Sequence, residues 1–282
     1  MNRSPSMLHR IKIGVAAALV AGVGIAGLAA SGASASSPSN ATAPKPTIVL
    51  IHGAFADASG WNGVVSRLQS LGYPTFAPAN PLRGLPSDTT YIKSVIAQID
   101  GPIILVGHSY GGMVMTNAAL GDPDVKGLVY VAAFAPAEGD SVGALSGMFP
   151  GSMLTPENLI IRDYPTTDPT VLGKEGYINP AVFREVFAGD LSRRTAATMA
   201  ATQRPAELAS LGQPSGPPAW ATIPSWFIVA KKDNAIPAEA QRFMAERAGA
   251  VKTVEVRASH VVMISQPGAV TALIIQAARY QG

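Results

Sequence analysis

One short stretch constrains the fold of this chain more than any other, a serine between closely spaced glycines that follows an apolar run. The pentapeptide GHSYG at 107–111 comes directly after the apolar residues 102–106 and before the small-residue segment 113–121. Glycine carries an entropic cost in ordered structure, so we expect it where neighbouring backbone leaves no room for a side chain. A sharp turn from a buried strand into a helix has this requirement two residues before and two residues after its central residue. The pattern therefore predicts a strand, a tight turn and a helix, with the hydroxyl of Ser109 projecting over the end of a sheet.

From residue 47 onward, strand-like apolar runs alternate with segments of helical period. The helical segments carry apolar residues three and four positions apart, as in 61–71, 92–99 and 270–278. The strand-like runs are mostly continuous in hydrophobicity and lie at 47–51, 73–77, 102–106, 127–133, 225–230 and 251–256. This order predicts an α/β fold, a mainly parallel sheet flanked by helices on both faces. Such a sheet binds its ligands beyond the carboxyl ends of its strands.

One interval, from 137 to about 223, interrupts this alternation. It is far longer than a single connecting helix and is rich in Pro, Gly, Thr, Met and Phe. Long insertions in compact domains are usually functional lids or binding segments. We interpret it as a cap inserted into one domain that covers 47–282.

The N-terminal residues differ in kind from the rest of the chain. Three basic residues precede the uncharged run 13–30, and small residues follow it as far as Ala35. This pattern predicts a secretory signal peptide over 1–35, with cleavage after Ala35. A retained membrane anchor is the alternative, because the run is about long enough to span a bilayer. A Ser/Pro/Ala linker at 36–46 follows, and we expect the mature protein to be secreted and free of the membrane.

The composition excludes several classes of site. The leader holds three of the 21 Lys and Arg residues and none of the 18 Asp and Glu residues, so the mature part is formally neutral. A neutral domain carries no electrostatic signature of nucleic-acid binding. The chain has no cysteine, which rules out disulfides, thiolate metal sites and a cysteine nucleophile. We expect no metal and no organic cofactor.

A serine hydroxyl is a weak nucleophile until a base takes its proton. The chain has four histidines, and elimination indicates which of them can act as the base for Ser109. His9 lies in the leader, His52 ends the first strand, and His108 is held in the turn beside Ser109. His260 remains, in a short loop after the last predicted strand, from which it can reach across the strand ends. The alternative is that His260 is a buried structural histidine.

An imidazole that acts as a base needs a carboxylate to hold its tautomer. Asp233 lies just past the end of the strand at 225–230, and Glu138 and Asp140 are the other candidates, after the preceding strand. The order Ser109, Asp233, His260 along the chain is the order typical of serine hydrolases built on a parallel sheet. A helix-capping or surface role for Asp233 is the alternative.

A reacting carbonyl also needs two fixed donors for its developing oxyanion, typically backbone N–H groups. Tyr110 follows the serine at the start of a helix, whose dipole has the right sign, and supplies one of them. The loop after the first strand supplies the other, and Ala54 has the best-placed amide. His52 and Gly53 are then expected to shape that loop, and Asp57 to be a solvated loop carboxylate.

Together these segments resemble the α/β-hydrolase superfamily, and within it the plant-type methylesterase and hydroxynitrile lyase group with its bacterial esterase relatives. The resemblance covers residue 47 to the C-terminus, is weakest in the cap, and is carried by VLIHGAFADASGW, ILVGHSYGGMV, YVAAFAP, KKDNAIPAEAQRFM and ASHVVMISQP. It implies an α/β-hydrolase fold with a catalytic triad of Ser109, Asp233 and His260. It also implies an oxyanion hole formed by the amides of Ala54 and Tyr110.

The chain departs from the hydroxynitrile lyases of that group at two places. Those enzymes carry a lysine directly after the catalytic histidine and a threonine in the first loop, whereas here Val261 follows His260 and Ala54 and Phe55 stand in the loop. The resemblance therefore implies a serine hydrolase that cleaves small, mostly apolar carboxylic esters through an acyl-enzyme. A lyase on the same scaffold and a non-catalytic ligand-binding protein of this fold are the alternatives. The expected partner is a small-molecule ester; the sequence predicts no oligomeric state.

Overall fold

A computed structural model of the chain describes residues 44–168 and 170–281. The predicted leader and the linker as far as residue 43 lie outside the described residues. The strands are β1 (Thr47–Ile51), β2 (Thr75–Phe76), β3 (Ile103–Ser109), β4 (Val125–Ala133), β5 (Leu159–Pro165), β6 (Leu172–Ile178), β7 (Ala206–Glu207), β8 (Ser225–Ala230) and β9 (Lys252–Val256).

The helices are α1 (Asn62–Ser70), α2 (Leu85–Ile96), α3 (Tyr110–Ala118), α4 (Val142–Gly147), α5 (Phe183–Phe187), α6 (Arg193–Thr202), α7 (Ala238–Arg247), α8 (Val262–Ser265) and α9 (Pro267–Ala278). Within the described residues, no helix combines the length and the hydropathy that crossing a membrane requires.

Six strands form one parallel sheet in the order β2-β1-β3-β4-β8-β9. All residues of β3 and β8 are buried, as expected for inner strands covered by helices on both faces. The hydrophobic core lies between this sheet and the helices, with the rings of Tyr130 and Phe227 stacked at a centroid distance of 4.5 Å. The mainly parallel sheet predicted from the sequence is confirmed.

Among the predicted elements whose bounds differ in the structure, two have a clear physical reason for the difference. The strand predicted at 73–77 is only β2, because Pro74 has no N–H to contribute to a ladder and Pro78 follows closely. The helix predicted around 92–99 begins earlier, at Leu85, where Pro86 suits the first turn and Asp88 accepts a hydrogen bond from the Arg83 amide.

The segment between β4 and β8 contains a second sheet that the sequence did not predict. Its strands β5, β6 and β7 are antiparallel and are accompanied by α4, α5 and α6. The first two strands are half-buried or exposed along much of their length and carry charged residues, so they lack the continuous apolar pattern of the main sheet. The segment meets the main sheet at the carboxyl end of β3, where it lines a cavity together with Ser109.

Candidate active site

The turn at Ser109 has the strand-turn-helix form that the sequence predicts. Strand β3 ends at Ser109 and α3 begins at the next residue. Ser109 has φ +53° and ψ −127°, a left-handed conformation that costs a non-glycine residue about 1–3 kcal/mol. Its carbonyl accepts a hydrogen bond from the Phe134 amide at 3.1 Å, just past the end of β4. The strained backbone is therefore held by its neighbours.

Two glycines allow the end of β1 to pack directly against this turn. A Cβ added at Gly111 would collide with the carbonyl oxygen of Ile51. One added at Gly53 would lie 2.5 Å from Ser109 Cβ. The close approach of the two strand ends therefore requires glycine at both positions.

We expect Gly111→Ala to lower the free energy of unfolding by about 2–3 kcal/mol, because the Ile51 carbonyl is backbone and cannot turn aside. Urea unfolding followed by circular dichroism measures the change. Gly268→Ala in α9 is the matched control, since a Cβ there meets nothing within 4 Å and alanine favours the helix. Equal losses in both variants would contradict the packing account.

Asp233 and His260 form a buried pair. Asp233 lies between β8 and α7, and its Oδ1 accepts the amides of Ala235 at 2.7 Å and Ile236 at 2.9 Å. Its Oδ2 lies 2.7 Å from His260 Nδ1 and also accepts Gln241 Nε2 at 2.8 Å. Both side chains of the pair have no exposed surface. Because an ionised carboxylate can only accept, Nδ1 carries a proton, and Nε2 of a neutral His260 is an acceptor.

Two aromatic rings pack against the His260 ring. Its centroid lies 4.6 Å from that of His108 and 4.8 Å from that of Phe187. His108 Nε2 donates to the His260 carbonyl oxygen at 3.0 Å, which ties the loop to the turn at Ser109. Among residues 44–168 and 170–281, no group hydrogen-bonds to His260 Nε2, the Ser109 hydroxyl included. Contacts between a nucleophile and its base commonly tighten only when substrate is bound.

The other candidate carboxylates are occupied elsewhere. Asp140 accepts the Ala137 amide at 2.8 Å and pairs with Arg247 at 2.7 Å, and Glu138 is exposed. Asp57 accepts the Ser59 amide at 2.7 Å and so caps the 3-10 helix that follows it. The structure therefore brings Asp233, and neither of its alternatives, to His260.

His52 fixes the loop that carries Ala54. Its Nδ1 lies 2.9 Å from the Gly53 carbonyl oxygen, and its Nε2 accepts the Asn80 amide at 2.9 Å. The Asn80 side chain donates in turn to the His52 carbonyl oxygen at 3.1 Å. These contacts agree with the structural role that the sequence suggested for His52.

A cavity of about 410 Å³ opens beside Ser109. Ala54 and Tyr110 line it, so both predicted oxyanion residues stand at the same cavity as the serine. Tyr110 is the first residue of α3, and its amide has no acceptor within the helix. Its hydroxyl points away and donates to the buried Asp88 at 2.9 Å; burial and this carboxylate raise the pKa of Tyr110.

The rest of that wall comes mainly from the segment between β4 and β8, and no charged side chain lines it in the described part of the chain. The apolar side chains of this segment in the wall include those of Phe134, Val142, Phe149, Leu154, Leu159 and Leu211. Neither Asp233 nor His260 reaches the cavity surface. The cavity therefore offers an uncharged binding surface next to Ser109.

Burial lowers the pKa of both His52 and His108, and His260 nearby lowers that of His108 further. Both imidazoles therefore bind a proton less readily in the folded protein than in the unfolded chain, where they take up protons below pH about 6.5. The unfolded state then binds more protons, so the free energy of unfolding falls with decreasing pH, by at most about 1.4 kcal/mol per pH unit for each imidazole.

We expect urea midpoints to decrease from pH 7 to pH 5, and His108→Gln to reduce that dependence while keeping a donor for the His260 carbonyl. A wild-type midpoint that stays constant or rises over this range would contradict the prediction.

Three residues around the pair make contacts that the sequence pattern does not predict. Gln241 binds Asp233 from the second turn of α7, and Phe187 packs on the His260 ring from α5. Asp190 accepts hydrogen bonds from both the amide and the hydroxyl of Ser259. Nothing in their local sequence marks them, because each is placed by the long-range packing of the inserted segment or of α7.

The family of the chain follows from its similarity to known proteins. Residues 48–273 match the alpha/beta hydrolase family. The chain belongs to the α/β-hydrolase family. Among relatives of this α/β-hydrolase, a pyrethroid hydrolase of Sphingobium wenxiniae is 30% identical over 248 residues, which cover 78% of this chain and 83% of the relative. A carbendazim hydrolyzing esterase of a Nocardioides species is 35% identical over 112 residues, 34% of this chain and 46% of the relative.

The fold agrees with the same family. The crystal structure of polyneuridine aldehyde esterase matches this α/β-hydrolase with a TM-score of 0.70 and 21% identity, over 82% of this chain and 98% of that chain. The α/β-hydrolase fold expected from the sequence resemblance is therefore confirmed. The named relatives are hydrolases and esterases.

Proposed function

We propose that this α/β-hydrolase cleaves small, uncharged carboxylic esters, with Ser109 as nucleophile, His260 as general base and acid, and Asp233 as the group that orients His260. The observation that carries the proposal is the buried Asp233–His260 hydrogen bond of 2.7 Å, which leaves His260 Nε2 without a partner among the described residues, in a loop tied to the turn at Ser109. The esterases and hydrolases among its relatives support the same reaction.

The proposed reaction has two halves. Ser109 Oγ bonds to the ester carbonyl carbon while its proton passes to His260 Nε2, and the amides of Ala54 and Tyr110 hold the oxyanion. When the bond to the alcohol oxygen breaks, His260 returns the proton to that oxygen, which leaves an acyl group on Ser109. Water then attacks the acyl group in the same way and regenerates the free enzyme and a carboxylic acid.

The substrate class follows from the cavity wall. The wall has no charged side chain among the described residues and several apolar ones, so a charged substrate would lose hydration there without gaining a partner. A cavity of about 410 Å³ suits a small molecule. We therefore expect esters uncharged on both sides of the carbonyl to be the best substrates.

The test compares the wild-type protein with Ser109→Ala on p-nitrophenyl butyrate and on an aromatic cyanohydrin. We expect ester turnover in the wild-type protein only, and no cyanide release above background. Ester turnover that persists in the variant would contradict the proposal. Cyanide release without ester turnover would favour the lyase alternative, which the valine after His260 argues against. Activity on neither substrate, together with no reaction of Ser109 with a fluorophosphonate, would favour a non-catalytic binding protein.

We also propose that the protein is secreted after removal of residues 1–35, on the strength of the leader pattern alone. Expression of the full chain in a secreting bacterial host should give protein in the medium that begins at Ser36, as read by N-terminal sequencing. Protein that stays in the membrane fraction with residues 1–35 attached would contradict this and favour the anchor.

A further inference from the structure

A second cavity of about 350 Å³ shares a wall with the cavity at Ser109. It lies between the loop after β1 and two helices, α6 of the inserted segment and α8, which closely follows His260. Phe55 is the one residue that lines both cavities among the described residues. Because it is common to both linings, Phe55 stands between Ser109 and the second cavity.

Phe55 is held firmly in this position. Its side chain is buried, and its ring packs edge-on against Phe187 at a centroid distance of 6.4 Å. Its amide donates to the Arg204 carbonyl oxygen at 3.1 Å. Its φ is +59°, a conformation that is unusual for a bulky side chain and that persists only where the surroundings impose it. Phe55 is therefore a fixed partition.

Phe55 and the second cavity are both connected to the region around His260. Phe55 packs on Phe187, and Phe187 packs on the His260 ring. The second cavity is also lined by Met263 and Ile264, three and four residues after His260. The cavity at Ser109, in contrast, is lined by no described residue that follows Leu211 in the chain, so neither the His260 loop nor α8 contributes to its lining.

Ester chemistry then distinguishes the two sides. The general acid must face the oxygen that leaves, so the alcohol part of an ester lies towards the imidazole and the acyl part away from it. We propose that the cavity at Ser109 takes the acyl group, that the alcohol group is directed towards the second cavity, and that Phe55 limits the size of that alcohol. This rests on the proposed esterase function.

The second cavity suits an uncharged, mostly apolar alcohol. Its apolar wall is formed by Phe55, Met199, Met263 and Ile264, and exposed polar residues such as Thr195 stand at its rim. Asp57 is the one charged residue that lines it among residues 44–168 and 170–281, and its carboxylate already accepts the Ser59 amide as a helix cap. The apolar chain of an alcohol that extends past Phe55 would therefore contact the apolar wall of the second cavity.

The experiment lengthens the two ends of the ester independently. kcat/KM is measured for acetates of ethanol to octanol and for ethyl esters of acetic to octanoic acid. We expect Phe55→Ala to raise kcat/KM for octyl acetate about tenfold or more relative to ethyl acetate, with the acyl series changed less than about threefold. Phe149→Ala is the matched control, because of the two cavities Phe149 lines only the one at Ser109. This variant should instead raise kcat/KM for the esters with long acyl chains.

A second substitution localises the gain. Met199→Trp fills the second cavity, so in the Phe55→Ala background it should return octyl acetate to the wild-type ratio. Equal gains in both ester series, or a gain that survives Met199→Trp, would overturn the inference. If Phe55→Ala does not fold, Phe55→Leu carries the same comparison. A wild-type protein without any ester turnover would instead refute the proposed function, whereas turnover with an unchanged length profile refutes only the partition.

Discussion

Replacing His260 by alanine is expected to lower kcat/KM for p-nitrophenyl butyrate by about four to six orders of magnitude. The reason is that, in the proposed mechanism, the Ser109 hydroxyl would lose the base that takes its proton. The other described histidines are engaged, His52 by Asn80 and His108 by the His260 carbonyl. The loss is measured by stopped-flow assays or by long incubations. Both proteins are used at the same concentration, determined by a method that does not depend on enzyme activity.

His108→Gln is the matched control for this prediction. Glutamine keeps a donor for the His260 carbonyl but removes the second imidazole from the site. We expect its kcat/KM to stay within about tenfold of the wild-type value, since a positioning contact is retained. A larger loss in His108→Gln than in His260→Ala would show that His260 is not the general base.

Asp233→Asn is expected to lower kcat by about four orders of magnitude. The Ala235 and Ile236 amides both donate to Oδ1, so the asparagine oxygen must take that position. Its NH₂ group then faces His260 Nδ1 and forces the proton onto Nε2, where it prevents the imidazole from accepting a proton from Ser109. The same NH₂ group also meets the Gln241 Nε2 donor, so we expect some loss of stability as well.

Glu138→Gln is the control for the carboxylate assignment. Glu138 is one of the alternative carboxylate partners of His260 that the sequence leaves open, and its side chain is exposed in the structure. Its kcat should remain at the wild-type value within about twofold, because surface substitutions away from packed features have small effects. An Asp233→Asn enzyme that keeps a tenth or more of wild-type kcat, measured with folded protein, would show that Asp233 does not orient the base.

The main sheet and the turn at Ser109 could be predicted because their physical causes are local. Continuous apolar runs mark strands that helices cover on both faces, as in β3 and β8, which are completely buried. Glycine at 111 is required by the backbone of Ile51, and that requirement is visible as a sequence pattern. The elimination of histidines also needed only the printed sequence.

The inserted segment and the contacts around His260 could not be predicted because their causes are not local. Strands β5 and β6 are paired to each other and partly exposed, so their residues carry no burial pattern. The sequence already favours Asp233 over Asp140 as the partner of His260, but the pairing of Asp140 with Arg247, more than a hundred residues away along the chain, could not be predicted. The position of Phe55 between two cavities likewise depends on the packing of Phe187.

In the proposed mechanism, the folded chain activates the Ser109 hydroxyl through His260. Reaction with a fluorophosphonate, followed by peptide mass mapping, tests it most directly, since the reagent bonds only to an activated nucleophile. We expect a single adduct per chain, on the peptide that contains Ser109, and a reaction rate that falls to background in His260→Ala. No adduct on the folded wild-type protein, or an adduct on a peptide without Ser109, would contradict it.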